Sequence, residues 1–75
     1  MNNQTSQTQQ ANTERRARYQ AAINEYLKGR NKLVAEFKEE RAGNANPTKL
    51  DYINGIILDI EAKIEELETL KAIYN

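Results

Sequence analysis

The sequence predicts an all-α protein, an antiparallel two-helix hairpin with a disordered N-terminal tail that closes into a helical bundle by oligomerisation. Three observations predict this fold class. Apolar residues recur every three or four positions through two long segments, residues 13–42 and 48–74. A short loop, residues 43–47, separates them and contains Gly43 and Pro47. Neither segment alternates with the two-residue period of a half-buried β-strand.

The N-terminal tail, residues 1–12, precedes a hairpin domain that we assign to residues 13–75. Residues 2–10 are all Asn, Gln, Thr or Ser. A stretch with nothing apolar to bury does not offset the entropy of ordering its chain, so we expect disorder. The tail either keeps the protein soluble or becomes ordered on a partner.

The first helix is predicted to begin near Thr13, a plausible N-cap, and to end at Arg41 or Ala42. Gly29 lies at the margin of its apolar stripe and costs helix stability there, about 1 kcal/mol relative to Ala. Large and small apolar residues form that stripe: Tyr19, Ala22, Ile23, Tyr26, Leu27, Leu33, Val34 and Phe37.

The loop carries helix-termination and helix-initiation signals. Gly43 suits the left-handed position that follows a helix. Two starts compete for the second helix. Asn46 can cap a helix that has Pro47 at its first position, and Thr48 with Asp51 offers a capping box slightly later.

The second helix carries a coiled-coil seam with alternating steps of three and four residues. The seam consists of Leu50, Ile53, Ile57, Ile60, Ile64 and Leu67, and it is widened by Tyr52, Ile56, Leu70 and Tyr74. A two-stranded coiled coil needs only the narrow seam, so the width predicts contact with at least two neighbouring helices.

A turn centred near residue 45 places Leu33 beside Ile57 in the hairpin. Two helices cover only part of each apolar stripe, and a chain of 75 residues buries little surface by itself. We therefore expect a homo-oligomer, in the simplest case a dimer that forms a four-helix bundle. A trimer, or docking on a larger protein, would cover the stripes equally well. The expected oligomer or partner interface is Tyr19, Ile23, Tyr26, Leu33, Phe37, Ile53, Ile56, Ile57, Ile60, Ile64, Leu67 and Leu70.

The composition argues against most catalytic chemistry. The chain has no His and no Cys, which removes the usual proton shuttle, thiol nucleophile and zinc ligands. We expect no enzymatic activity, no cofactor, no metal and no small-molecule substrate. No run of 18 apolar residues is present to span a membrane, and the first residues do not resemble a secretory signal. We expect a cytoplasmic protein, and a virion component is also compatible.

The charges are segregated although the net charge is zero. Residues 1–43 carry eight basic and five acidic side chains, and residues 44–75 carry three and six. Arg15, Arg16 and Arg18 crowd the start of the first helix, where the helix dipole disfavours cations. They either pair with the acidic part of the second helix, in the same or a neighbouring subunit, or hold an external anion on nucleic acid or an acidic protein. Lys28 and Lys32 could extend the basic track. The acidic residues concerned are Glu61, Glu65, Glu66 and Glu68.

Two further cations interrupt the apolar stripes. Arg30 lies near the centre of the first stripe, and we expect it to pair with Asp59 or Glu61 across the hairpin. Its alternative role is to grip a carboxylate or phosphate at an oligomer seam. Lys71 interrupts the second stripe near its end, where we expect a solvated side chain, with specification of register as the alternative.

These observations favour a non-catalytic helical hairpin that acts by protein–protein interaction, as a small structural subunit, an adaptor or an inhibitor. Its composition is similar to that of phage and mobile-element accessory proteins. The alternative is RNA or DNA binding, since the layout resembles that of the Rop-type RNA-binding hairpin dimers. That resemblance covers layout only and implies no particular residue. The candidate anion or nucleic-acid contacts are Arg15, Arg16, Arg18, Lys28 and Arg30.

Overall fold

The computed structural model describes residues 2–44 and 46–74, with side chains from residue 8 onward, as two antiparallel helices. Helix α1 spans Asn2–Ala42 and helix α2 spans Pro47–Ile73. The described residues contain no strand, and α1 packs along α2. The predicted all-α hairpin of two packed helices is therefore confirmed.

The register of the hairpin follows from side-chain contacts at its two ends. Near the loop, the Lys49 ammonium donates to Glu40 Oε1 at 2.9 Å. Near the open end, the Lys71 ammonium donates to Gln20 Oε1 at 2.7 Å. Both pairs are centred near residue 45, which is the turn centre that the sequence predicts.

Helix α1 begins much earlier than predicted. It starts at Asn2 rather than near Thr13, and the Thr13 hydroxyl donates to the Gln9 carbonyl at 2.9 Å, as in a helix interior. Thr13 is therefore not an N-cap. No Gly or Pro precedes Gly29, so nothing in the sequence interrupts the helix once it has formed. The disordered tail predicted for residues 1–12 is not shown, since α1 continues through 2–12; Met1 lies outside the described residues.

The open end of the hairpin is uneven because α1 has 41 residues and α2 has 27. Arg16 is level with Tyr74, whose carbonyl accepts a hydrogen bond from Arg16 Nη1 at 2.7 Å. Residues 2–14 therefore extend past the end of α2 by about 20 Å, at about 1.5 Å per residue. The Cα trace is a rod with principal extents of 65 × 14 × 10 Å.

The structure selects the earlier of the two starts for α2. The Asn46 side chain accepts a hydrogen bond from the Thr48 backbone N–H at 2.8 Å, and Pro47 occupies the first helical position. Proline is favoured there because its missing N–H would have no intrahelical acceptor. Thr48 consequently lies within the first turn and is not the cap.

The end of α1 corrects the role predicted for Gly43. Its φ is not positive, and the left-handed position is taken by Asn44, with φ of 60°. The Gly43 N–H donates to the Glu39 carbonyl at 3.0 Å, which continues the helical hydrogen-bonding pattern by one residue. Asn tolerates the left-handed region better than most residues because its short polar side chain bonds locally.

We expect Asn46→Ala to lower the free energy of unfolding by about 1 kcal/mol, because the first-turn N–H loses its acceptor. Thr48→Ala, two residues later in the chain, is the matched control. It should change the free energy of unfolding by less than about 0.5 kcal/mol. Urea denaturation followed by far-UV circular dichroism measures both. Equal losses in the two variants would show that Asn46 does not cap α2.

The core between the helices is narrow and consists of isoleucine. Ile23 of α1 is 2% exposed, and Ile53, Ile57 and Ile64 of α2 are 4%, 7% and 9% exposed. These four belong to the predicted interface set, but their side chains are used inside the hairpin. They are therefore not available to a partner that binds its surface.

Candidate protein-interaction surface

The remaining predicted interface residues lie on one side of the hairpin, which we call the apolar face. Each apolar stripe is wider than the line along which the two helices touch. Because the helices are antiparallel, the uncovered parts of both stripes lie on the same side of the hairpin. Two cross-helix contacts border this side, Tyr19 with Tyr74 and Glu40 with Lys49. The apolar face consists of Tyr19, Tyr26, Leu33 and Phe37 of α1 and Ile56, Ile60 and Leu67 of α2, with Leu70 at its outer border beside Glu66.

The apolar face is only partly covered. Its residues are half-buried apart from Tyr26, which is 37% exposed. The opposite side of the hairpin is polar, with Asn24, Asn31 and Glu65 exposed. Leu58 is on that polar side and is 58% exposed. The hairpin therefore has one apolar and one polar face.

The hairpin leaves more surface accessible than a compact protein of its mass. It exposes 5896 Å² at 8.6 kDa. A compact monomer of that mass exposes about 4,700 Å² according to the scaling of surface with mass. The excess follows from the rod shape, and it includes apolar groups that a two-helix layer has no second layer to cover.

At the open end, three arginines and two tyrosines form a compact group. The Arg15 guanidinium lies 5.3 Å from the centroid of the Tyr74 ring, and the Tyr19 and Tyr74 rings are stacked with centroids 6.0 Å apart. Arg16 donates to the Tyr74 carbonyl at the negative end of the α2 dipole. Arg15, Arg18, Tyr19 and Tyr74 line a shallow cleft of about 280 Å³.

Pairing of this arginine cluster with the acidic part of α2 is wrong within one hairpin. Within the described residues, Arg15, Arg16 and Arg18 form no ion pair. The register explains this, because residues 61–68 of α2 are level with residues 22–29 of α1, a turn or more from Arg18. Arg18 also makes no hydrogen bond within that part of the chain.

The two interrupting cations also differ from expectation. Arg30 does not reach Asp59 or Glu61; its Nη2 donates to Asn31 Oδ1 at 3.2 Å, and the residue is half-buried. A long side chain can cover apolar surface while its charged end stays in water, which explains this position without an ion pair. Lys71 is half-buried and hydrogen-bonded across the hairpin, rather than fully solvated.

The basic residues of α1 do not form one surface. Arg16 is directed to the end of α2, whereas Lys28 is on the outer side of α1 with Glu25 3.3 Å away. Lys28 and Glu25 side chains are 72% and 75% exposed, and such surface pairs contribute about 0–1 kcal/mol. Lys32 is exposed one turn beyond Lys28.

No protein-family model, curated protein or solved structure matches this chain. In the described part of the chain, no helix is long and apolar enough to cross a membrane. The same residues include no group of three or more carboxylates placed to hold a metal ion.

Glu36 and Glu40 border the apolar face near the loop. Neither was among the candidate residues predicted from the sequence. Glu40 holds Lys49 at 2.9 Å, and this hydrogen bond, together with the Glu40 charge, raises the pKa of Lys49 above its ordinary value. The Glu36 charge raises it further. Successive steps of three and four residues lead along α1 from Arg15 and Arg18 to Glu36 and Glu40. This spacing was the signal that could have identified the two glutamates.

Proposed function

We propose that this protein acts by protein–protein interaction through its apolar face, as a non-catalytic helical hairpin that self-associates, with a dimer favoured. It would serve as a small structural subunit, an adaptor or an inhibitor. The observation that carries the proposal is the apolar face, which both helices form on one side of the hairpin. Large contiguous apolar patches on soluble proteins mark interaction sites.

The dimensions of the face fit a protein partner. Its apolar residues extend from the level of Tyr19 to that of Phe37, and the charged residues at its two ends, Arg15 and Glu40, lengthen the surface to about 38 Å at about 1.5 Å per residue. Two helices at a separation of about 10 Å make it about 20 Å wide. Each copy therefore offers about 750 Å², close to the share that one partner buries in a standard interface.

Ile56→Gln tests this proposal, with Leu58→Gln as the matched control. The two residues are two positions apart on α2 and lie on opposite sides, Ile56 in the apolar face and Leu58 on the polar side. We expect Ile56→Gln to weaken association at least tenfold, because a polar amide replaces apolar contact area. Leu58→Gln should leave association unchanged. Sedimentation equilibrium over a range of concentrations measures both.

If the two variants associate as the wild type does, the apolar face is not the interaction surface. A wild-type chain that stays monomeric at every concentration would contradict self-association. A thermal midpoint that rises with protein concentration would support it, since association stabilises the folded state by mass action.

RNA or DNA binding is the second candidate, and the observation that favours it is the arginine cluster. Arg15 and Arg18 have no carboxylate partner in the described residues, and Tyr19 lies beside them. Arginine and tyrosine together bind phosphates and stack on bases. An electrophoretic shift assay with single-stranded and duplex RNA and DNA at two salt concentrations tests this candidate. No shift at low salt would eliminate it.

A further inference from the structure

One border of the apolar face carries opposite charges at its two ends. Arg15 and Arg18 lie on this border of α1 near the open end, and Glu36 and Glu40 lie on it near the loop. Steps of three and four residues connect these positions, so their side chains share one side of the helix. We call this border the α1 edge.

When two copies of the α1 edge run in opposite directions, the positive end of each lies beside the negative end of the other. Arg18 and Glu36 are equally far from a point near residue 27, and so, within half a residue, are Arg15 and Glu40. We propose that a second copy of this chain covers the apolar face with its α1 antiparallel to the first, so that Arg18 faces Glu36 of the partner subunit. This inference rests on the proposed function and names the partner of its surface.

The middle of the α1 edge is complementary in size. The same symmetry places Tyr26 opposite Gly29 of the partner subunit, and Ala22 opposite Leu33 of the partner subunit. Tyr26 is 37% exposed, and a Cβ built on Gly29 meets nothing within 4 Å. Tyr26 thus faces open space at Gly29, and Leu33 faces the small side chain of Ala22. This arrangement gives a helical glycine on the border of an apolar face a packing role.

The α2 side of the interface is apolar except at its centre. Ile56, Ile60 and Leu67 lie there, and Lys63 interrupts them. The Lys63 ammonium is 3.5 Å from Glu66 Oε2, and its side chain is 53% exposed. Residue 63 is level with residue 27, so the symmetry brings Lys63 near Lys63 of the partner subunit, and its long side chain must carry the ammonium group out to water beside Glu66.

The area agrees with a stable dimer. Two copies of a face of about 750 Å² bury about 1,500 Å² in total, which is the size of a standard specific interface. Charged pairs lie at the ends, and the residues between them are apolar apart from Lys63, which is close to the usual division of an interface into core and rim.

The alternative parallel arrangement lacks this complementarity. It would bring both arginine clusters to one end of the bundle and set Arg18 opposite Leu70 of the partner subunit. No carboxylate of the α1 edge would then reach an arginine, and like charges would repel. The antiparallel arrangement instead pairs Arg18 with Glu36 twice.

A charge-swap experiment tests the proposal with two single variants, Arg18→Glu and Glu36→Lys. Both residues are exposed, and neither forms an ion pair within the described residues, so the hairpin should fold in each variant. Each variant alone should associate at least fivefold more weakly than the wild type, because both symmetric pairs become repulsive. An equimolar mixture should recover wild-type association as a heterodimer, and the difference should shrink at high ionic strength.

Disulfide trapping tests the orientation of the second copy. Because the sequence contains no cysteine, only the introduced thiols can form a disulfide. A chain with Arg18→Cys and Glu36→Cys should form a covalent dimer under mild oxidation. The two positions are about 27 Å apart within one helix, so they cannot pair within a chain. Arg18→Cys with Lys38→Cys is the control and should remain uncrosslinked, since Lys38 is exposed and, two residues from Glu36, lies on the other side of α1.

The outcomes separate this inference from the proposed function. A dimer in which neither charge variant is weakened, or in which mixing restores nothing, would overturn the antiparallel arrangement and leave self-association intact. A dimer that the Arg18 and Glu36 cysteines do not trap would do the same. A monomeric wild type would overturn this inference together with self-association, and a monomer that binds nucleic acid and no protein would overturn the proposed function as well. Circular dichroism confirms that each variant is helical before association is compared.

Discussion

Ile23→Ala should lower the free energy of unfolding by about 2–4 kcal/mol, the cost of removing a buried branched side chain and leaving a cavity. Ile23 is 2% exposed and is the most buried residue of α1 in the described part of the chain. A small domain has a total stability of about 5 kcal/mol, so this single change removes a large part of it. Urea denaturation followed by circular dichroism measures the loss.

Ile73→Ala is the matched control for this prediction. It removes the same atoms, but Ile73 is 68% exposed at the last position of α2. We expect a change of less than about 0.5 kcal/mol there. Similar losses at both positions would mean that the isoleucine core does not hold the two helices together.

Gly29→Gln should weaken association at least tenfold while it strengthens the single hairpin. Gln is a good helix former, and replacing a mid-helix glycine stabilises the helix by about 0.5–1 kcal/mol. The open space at Gly29 accepts the new side chain in one hairpin. In the antiparallel dimer that space is filled by Tyr26 of the partner subunit. The thermal midpoint should therefore rise at low protein concentration and fall below the wild-type value at high concentration.

Gly55→Gln separates the two effects. A Cβ at Gly55 also meets nothing within 4 Å, but Gly55 is two residues from buried Ile57 and so lies on the opposite side of α2. It should raise the thermal midpoint at every concentration. If Gly29→Gln behaves in the same way, Gly29 is a tolerated weakness of α1 and does not pack against a second copy.

Much of the fold could be predicted because it depends on local signals. The periodicity of the apolar residues predicts both helices, and the turn predicts the register that Lys49 with Glu40 and Lys71 with Gln20 confirm. A regular hairpin with a short loop has few possible registers, so the turn centre determines which residues meet.

Local signals failed where two conformations differ little in energy. Thr13 is a good N-cap, but no residue before it interrupts a helix, and α1 continues to Asn2. Gly43 and Asn44 both suit the left-handed position, and the structure uses Asn44. A sequence pattern does not resolve such near-equal alternatives.

The sequence predicted the apolar and arginine residues of the candidate site but not which residues the arginines pair with. Complementary charges on the two helices favoured contacts between Arg18 and the α2 glutamates, whereas the register separates them along the axis by a turn or more. Counting residues from the turn could have shown this, since Glu61–Glu68 are level with residues 22–29. The charges that match the arginines in reversed order are Glu36 and Glu40, on the same helix.

The molar mass of the wild-type protein in solution tests the central claim, that the apolar face binds a protein and is covered by a second copy. Light scattering across a range of concentrations should give twice the chain mass of 8.6 kDa, with dissociation on dilution. A monodisperse particle of the chain mass, with a sharp thermal transition that does not depend on concentration, would contradict it.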